Sequence, residues 1–129
     1  MTPGHGTLSF ELTNDLAEMS VLAEHLEQFC AGHGLGPEVF SQLNLALDEI
    51  VTHIIAHGYR DEGREHRIRI TLAHDGASVT ARIEDDAAAF DPLERDDPTQ
   101  GINLLKTLVD EVTYSRERGH NALIVRKTV

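Results

Sequence analysis

The stretch Leu43-Asn44-Leu45-Ala46-Leu47-Asp48-Glu49-Ile50-Val51-Thr52-His53-Ile54-Ile55-Ala56-His57-Gly58-Tyr59 has the strongest helical pattern in the chain. Apolar side chains recur at i, i+4, i+7 and i+11 and therefore share one helix face: they are Leu43, Leu47, Ile50 and Ile54. Glu49, His53 and His57 are spaced four apart, and at about 100° per residue this polar row lies on the flank of the apolar face. The stretch therefore predicts a helix whose polar row borders the core, where the edge of a cleft would lie.

Composition narrows the class of protein. A chain of 129 residues predicts one domain, spanning residues 1–129, with a real hydrophobic core. Its 11 Lys and Arg against 22 Asp and Glu give a net charge of −11, so we expect no direct contact with nucleic acid and favour partners with basic surfaces. The single cysteine, Cys30, suits a reducing compartment. Neither a leader peptide nor a membrane-spanning run is visible, so the expected location is the cytoplasm, without membrane contact.

Alternating apolar and polar residues predict five strands, because period-2 alternation buries one face of a strand. The strands lie around residues 8–12, 68–72, 79–83, 112–114 and 123–125. Asp75-Gly76 predicts a hairpin turn between the second and third strands. Arg118-Gly119-His120-Asn121 predicts the turn of the last hairpin.

Three helices are expected between these strands. Thr13 or Asn14 is predicted to cap the first helix, and Gly101 to open the third. Pro37 suits the first position of the second helix, which should run to about His57. The order β-α-α-β-β-loop-α-β-β predicts an α+β fold, a two-layer sandwich in which a mixed, mostly antiparallel sheet carries three helices on one face.

The polar row of the second helix offers candidate chemistry. Glu49, at the edge of an apolar cleft, is a candidate general base, and a solvated helix acid is the alternative. His53 and His57, at i and i+4, could bind a metal along one helix face. A zinc-protease motif would need Glu where Ile54 stands, so packed or hydrogen-bonded imidazoles are the other interpretation.

Two further segments could bind a ligand. The loop Glu84-Asp85-Asp86-Ala87-Ala88-Ala89-Phe90-Asp91-Pro92 follows a strand, where a carboxylate can accept a hydrogen bond from a ligand's amino group. Gly101 at a helix start leaves free N–H groups that could hold an anion such as phosphate. An acidic surface loop and an ordinary helix start are the alternatives.

The order of these three segments resembles the histidine-kinase-like ATPase fold, and more narrowly the anti-sigma factor serine kinases of bacterial partner-switching systems. Residues 45–59 of the opening stretch are similar to that family's first motif, and Asp85-Asp86-Ala87-Ala88-Ala89-Phe90-Asp91-Pro92 to its second. Thr99-Gln100-Gly101-Ile102-Asn103-Leu104 is similar to the third, and residues 108–123 to the closing strands. The resemblance covers nearly the whole chain.

The resemblance implies roles for particular residues. Glu49 would be the general base or water-orienting acid of phosphoryl transfer, and Asp85 would accept from the adenine amino group. His53 stands at the position of the magnesium-binding Asn, so a metal ligand is expected there. The implied nucleotide-binding residues are Asp85, Ala87, Phe90, Thr99, Gly101 and Ile102.

The resemblance also implies an activity and partners. Members of the family bind Mg-ATP, phosphorylate a serine on a small antagonist protein, and hold a sigma factor in the alternative complex. Many are homodimers. We therefore expect an ATP-dependent protein serine/threonine kinase that regulates transcription through a sigma factor, with ATP and Mg²⁺ as cofactors.

Several residues depart from the family pattern in the nucleotide site. His53 replaces the magnesium-binding Asn, although Mg²⁺ prefers oxygen ligands. Ala87 and Thr99 each replace a Gly, and residues 92–100 form a short, acidic lid segment. These departures favour a second hypothesis, a degenerate, non-catalytic binding module with weak or no ATP binding. A repurposed metal site at Glu49 and His53 is a third.

Overall fold

The computed structural model describes residues 5–58, 66–87 and 107–129. These residues form two long helices and five strands: β1 His5–Thr13, α1 Met19–Gly32 after a 3₁₀ turn at Leu16–Glu18, α2 Pro37–His53, β2 Arg67–Asp75, β3 Ser78–Asp85, β4 Glu111–Glu117 and β5 His120–Thr128. Of the expected third helix, Thr107, Leu108 and Val109 fall in the described residues; Thr107 and Leu108 are helical, whereas Val109, expected on its apolar face, lies beyond the helical residues.

The five strands form one sheet in the order β1-β2-β3-β5-β4. Each neighbouring pair among them is antiparallel, so the described part of the sheet contains no parallel pair. The expected α+β class is confirmed. The sheet is purely antiparallel where a mixed one was expected.

Both predicted hairpin turns form, although His120 and Asn121, which were expected in the second turn, already belong to β5. Gly76 has a φ of +93°, and Oδ1 of Asp75 accepts hydrogen bonds from the N–H groups of Ala77 and Ser78 at 2.9 and 2.8 Å. Those bonds hold the pKa of Asp75 below its ordinary value. Arg118 and Gly119 both have positive φ, +53° and +79°, as in the two-residue turns whose twist matches that of a hairpin.

The hydrophobic core lies between the helices and one face of the sheet. Every second residue of β2 and β3 is fully buried, while Arg69 and Arg82 on the opposite face are exposed. The four apolar residues that predicted the face of α2 are all buried, as expected. Each fully buried Leu or Ile contributes about 1.5–3 kcal/mol relative to an exposed one, so this shared face fixes how α2 sits on the sheet.

The first helical segment begins one residue later than expected. Neither Thr13 nor Asn14 caps it; the cap is Asp15, whose Oδ1 accepts from the N–H of Ala17 at 2.9 Å. Asn14 is occupied elsewhere, because its side-chain oxygen and its N–H bond the backbone of His66 at 2.9 and 3.1 Å. Asn14 thus continues the β1–β2 pairing by one residue, and capping passes to the next side chain.

The C-terminal end of the second helix also differs from the prediction. Regular α-helix ends at His53, and the segment Ile54–Gly58 continues as a π-helical turn instead of running as α-helix to His57. Ile54 remains in the core at 7 % exposure.

No helix in the described part of the chain is long and apolar enough to cross a membrane.

Candidate functional site

Asp85 ends β3, and it is the one carboxylate of the described chain that is buried. It is 5 % exposed, because it continues the alternation of Val79, Ala81 and Ile83 on the helix-facing side of the sheet. A charged group at the end of an apolar row is desolvated, and desolvation raises the pKa of Asp85 above its ordinary value. A buried acid of this kind needs hydrogen-bond donors around it.

Two donors converge on a single oxygen of that carboxylate. Oδ1 of Asp85 accepts from the N–H of Ala87 at 2.9 Å and from Nδ2 of Asn121 at 2.9 Å. Both bonds favour the ionised form, so they oppose the effect of burial on the pKa of Asp85. The carboxylate is therefore held in one orientation, and neither of these two bonds uses its Oδ2.

Asn121 links Asp85 to the neighbouring strands. Its Nδ2 also donates to the carbonyl of Ala87 at 3.1 Å, and its Oδ1 accepts from the hydroxyl of Tyr114 and from Nη1 of Arg116 at 2.8 Å. Arg can only donate, so its contact identifies which end of the amide is oxygen. Nη1 of Arg116 also donates to the carbonyl of Ala87 at 3.1 Å.

Strand register explains why these side chains meet. Asp85 pairs with Asn121 across β3 and β5, and Asn121 pairs with Arg116 across β5 and β4, so the three form one row across the sheet. Sequence reasoning did not find Asn121, Tyr114 or Arg116. The sequence pattern could have indicated Asn121, because it alternates in phase with Leu123 on a buried face and is therefore a polar residue at a core position.

Two members of the predicted polar row, Glu49 and His53, lie on α2 at intermediate burial beside the core, as predicted. Glu49 is half-buried, and it precedes the buried Ile50. His53 is the last residue of α2, is half-buried, and has its Nε2 shielded from solvent. His57 lies in the π-helical turn.

Ala87 links the loop after β3 to the helical layer. It is 4 % exposed and belongs to the same apolar cluster as Ile50 and Ile54 of α2. Its methyl group therefore packs into the core. The other expected nucleotide-binding residues, Phe90, Thr99, Gly101 and Ile102, lie outside the described residues.

The described residues suit the two implied cofactors, ATP and Mg²⁺, to different degrees. An oriented, buried carboxylate at Asp85 suits the amino group of a nucleotide base. His53 offers a nitrogen where Mg²⁺ prefers oxygen in octahedral geometry, so this residue does not fit that ion. Within residues 5–58, 66–87 and 107–129, no three His, Cys, Asp or Glu side chains are grouped so that they could hold a metal.

Comparison with protein families gives a match over nearly the whole chain. Residues 12–127 match the model of the histidine kinase-like ATPase domain. The chain belongs to this family. The match includes α2, Asp85 and the β4–β5 hairpin, so every part of the site described above falls inside the histidine kinase-like ATPase domain.

Individual relatives agree with that assignment. The chain is 27 % identical over 93 residues to the serine/threonine-protein kinase BtrW of Bordetella bronchiseptica, a match that covers 63 % of this chain and 65 % of BtrW. The fold resembles the crystal structure of the RsbU and RsbW domains of Rv1364c from Mycobacterium tuberculosis, with a TM-score of 0.74 and 18 % identity, over 95 % of this chain and 31 % of that one.

A histidine kinase domain shares the fold as well. The domain from the blue-light activated histidine kinase EL346 of Erythrobacter litoralis has a TM-score of 0.61 at 15 % identity, over 87 % of this chain and 59 % of that one. At such identities the two solved structures show a common fold only. The similarity of this sequence to a protein kinase is its similarity to BtrW.

Proposed function

We propose that this histidine kinase-like ATPase domain is an ATP-dependent protein serine/threonine kinase of the partner-switching type. It phosphorylates a serine of a small antagonist protein and holds a sigma factor in the alternative complex, as a cytoplasmic homodimer. The observation that carries the proposal is Asp85, a buried carboxylate whose Oδ1 is fixed by two donors at 2.9 Å. Similarity to the protein kinase BtrW supports the activity.

The chemistry of Asp85 favours an amino-substituted base. An ionised carboxylate accepts from the exocyclic amine of adenine, whereas the carbonyl oxygen of guanine or hypoxanthine would place two acceptors against each other. A buried polar group left without a complementary ligand costs about 1–3 kcal/mol. Asp85 therefore selects ATP over GTP.

The transfer step needs a base beside the acceptor hydroxyl. We assign this role to Glu49, whose carboxylate takes the proton from the attacking serine while the hydroxyl oxygen bonds to the γ-phosphorus and ADP leaves. The half-buried position of Glu49, next to the core cluster that contains Ala87, supports this assignment.

Calorimetric titration of the purified protein tests base recognition. ATP is expected to bind at micromolar affinity, near −8 kcal/mol, and GTP at least about tenfold more weakly.

A second assay follows the transfer of labelled γ-phosphate from ATP to a cognate antagonist protein. Glu49→Gln should abolish the transfer and leave ATP binding intact, while Asp48→Asn, one residue earlier on α2, should retain both. Equal affinity for ATP and GTP would refute the role of Asp85, and transfer by Glu49→Gln would refute that of Glu49.

One observation favours a second candidate, a binding module of the same family that regulates its partners without catalysis. His53 stands where the family resemblance places a magnesium-binding Asn, and its Nε2 is buried. The substitution His53→Asn separates the candidates. A sharp rise in magnesium-dependent ATP affinity or in transfer would identify His53 as the residue that impairs an otherwise intact site, and unchanged values would leave the binding-module hypothesis without its support.

A further inference from the structure

We propose that Arg116 is a positioning residue for the nucleotide site, acting through Asn121 to hold Asp85 as a fixed acceptor for the base. Its guanidinium does not bond the carboxylate. Instead Nη1 donates to Oδ1 of Asn121 at 2.8 Å and to the carbonyl of Ala87 at 3.1 Å. The inference rests on the proposed binding of an adenine nucleotide at Asp85.

The amide of Asn121 uses all of its hydrogen-bonding capacity. Its two N–H donors meet Asp85 Oδ1 and the carbonyl of Ala87, and the two lone pairs of its oxygen meet the hydroxyl of Tyr114 and Nη1 of Arg116. A half-turn of the amide would set its nitrogen against the donor of Arg116 and its oxygen against the carboxylate. Arg116 therefore fixes the amide in the orientation that donates to Asp85.

The second bond of Arg116 acts on the loop that follows β3. Ala87 receives donors from both Arg116 and Asn121 at its carbonyl, and its own N–H donates to Asp85. The carbonyl of Ala87 is thus tied to β4 and β5, while its N–H is tied to the end of β3. Loss of Arg116 would release one of the two bonds at the carbonyl and the constraint on the Asn121 amide together.

The positive charge of Arg116 favours the ionised form of Asp85, as its hydrogen bond to Asn121 does. Burial raises the pKa of Asp85, and the negative charge of Asp86 raises it further. The bonds from Asn121 and Ala87 and the positive charge of Arg116 lower it. Asp86 itself is exposed and lies 3.2 Å from Nδ1 of His66. Without Arg116, Asp85 loses a nearby cation, and the Asn121 amide is no longer held in the orientation that donates to it. Protonation of Asp85 becomes easier, and a protonated Oδ2 cannot accept from an amino group.

The β4–β5 hairpin offers a matched pair of substitutions. Arg116→Gln removes the charge and keeps a polar side chain, and Arg118→Gln makes the same change two residues later, in the turn. Arg116→Lys keeps the charge and serves as the conservative variant. We expect Arg116→Gln to weaken ATP binding about tenfold (about 1.4 kcal/mol) at acidic pH and much less at alkaline pH, with Arg118→Gln close to the wild-type protein and Arg116→Lys in between.

A measurement without nucleotide separates this inference from the proposed function. The ¹³C signal of the Asp85 carboxyl, assigned with Asp85→Asn, reports its titration in the free protein. Arg116→Gln should move that titration to higher pH and Arg118→Gln should not; an unmoved titration overturns the inference whatever the ATP result. If the wild-type protein binds no ATP, the proposed function fails while the titration still decides the role of Arg116. Should Arg116→Gln not fold, Tyr114→Phe removes the other donor to Asn121 and must give a smaller shift in the same direction.

Discussion

The substitution Asp85→Asn is expected to abolish base recognition without destabilising the fold. The two bonds that Asp85 receives, from Ala87 and Asn121 at 2.9 Å each, both end on Oδ1. An Asn side chain has the same shape and offers a carbonyl oxygen in that position, so both bonds can persist. What changes is the second atom of the group, which becomes a donor where the carboxylate had an acceptor.

The two consequences can be given magnitudes. Each retained hydrogen bond contributes about 1 kcal/mol net, so Asp85→Ala, which loses both, should lower the free energy of unfolding by about 2 kcal/mol or more. Asp85→Asn should instead raise it by about 0.5–2 kcal/mol at pH 7, because the substitution removes the desolvation cost of a buried charge. Loss of the charged acceptor should weaken ATP binding by about 1.5–3 kcal/mol, which is roughly 10- to 150-fold.

The pH dependence of the stability has a definite sign. Burial raises the pKa of Asp85 in the folded protein above its ordinary value of 3.8, so the folded state binds this proton more tightly than the unfolded chain does. Ionised Asp85 therefore lowers stability at pH values above its folded pKa, and this penalty disappears as the pH falls through that pKa towards 3.8. The advantage of Asp85→Asn over the wild-type protein should thus be largest at neutral pH and shrink on acidification.

Urea denaturation of the two proteins between about pH 4 and pH 8 measures that difference, and calorimetry measures ATP binding. Asp86→Asn is the matched control, because it makes the same change one residue later at an exposed side chain. It should leave ATP affinity near that of the wild-type protein. A loss of stability in Asp85→Asn at neutral pH, or an advantage that grows on acidification, would refute the view that burial of the charge dominates at this position.

Two further pairs of substitutions test the packing of the fold by urea denaturation. Gly6→Ala should destabilise the protein by about 1–3 kcal/mol, because the added Cβ would lie 2.8 Å from Cε1 of His33. In Gly32→Ala the added Cβ meets no atom within 4 Å, so this substitution should stabilise the protein by about 0.4–1 kcal/mol. Stabilisation by both would show that the His33 side chain moves aside without cost. Leu47→Ala, at 0 % exposure, should cost about 2–5 kcal/mol, and Leu45→Ala, at 41 % exposure on the same helix, about 0.5 kcal/mol or less. Similar losses for the two Leu substitutions would contradict the assigned face of α2.

Much of the fold could be predicted because burial imposes a period on each element. Alternation located all five strands, and the spacing of Leu43, Leu47, Ile50 and Ile54 identified the buried face of α2. Local patterns failed where a distant contact decided the outcome. Asn14 was a reasonable helix cap until its bonds to His66, 52 residues away, occupied both its side chain and its N–H.

The candidate site was predictable in part. The family resemblance singled out Asp85, and the structure places it as the last residue of β3 instead of in the loop that was expected to contain it. The groups that hold it could not be found in this way, since Asn121 is 36 residues away and reaches Asp85 only through the register of β3 against β5. Periodicity places Asn121 on a buried face, but the partner of a buried polar residue becomes visible only when the strand order is known.

The proposed base recognition and the proposed phosphoryl transfer would depend on different parts of this fold, so each could be lost without the other. The proposed base end is built on the sheet, where hydrogen bonds join Asp85, Asn121 and Arg116. The catalytic end is assigned to α2, where Glu49 precedes His53 by one helical turn and His53 is the residue that does not suit magnesium. A substitution on α2 leaves the sheet network untouched. The proposed nucleotide binding at Asp85 would thus survive a change on α2 that stops the proposed phosphate transfer.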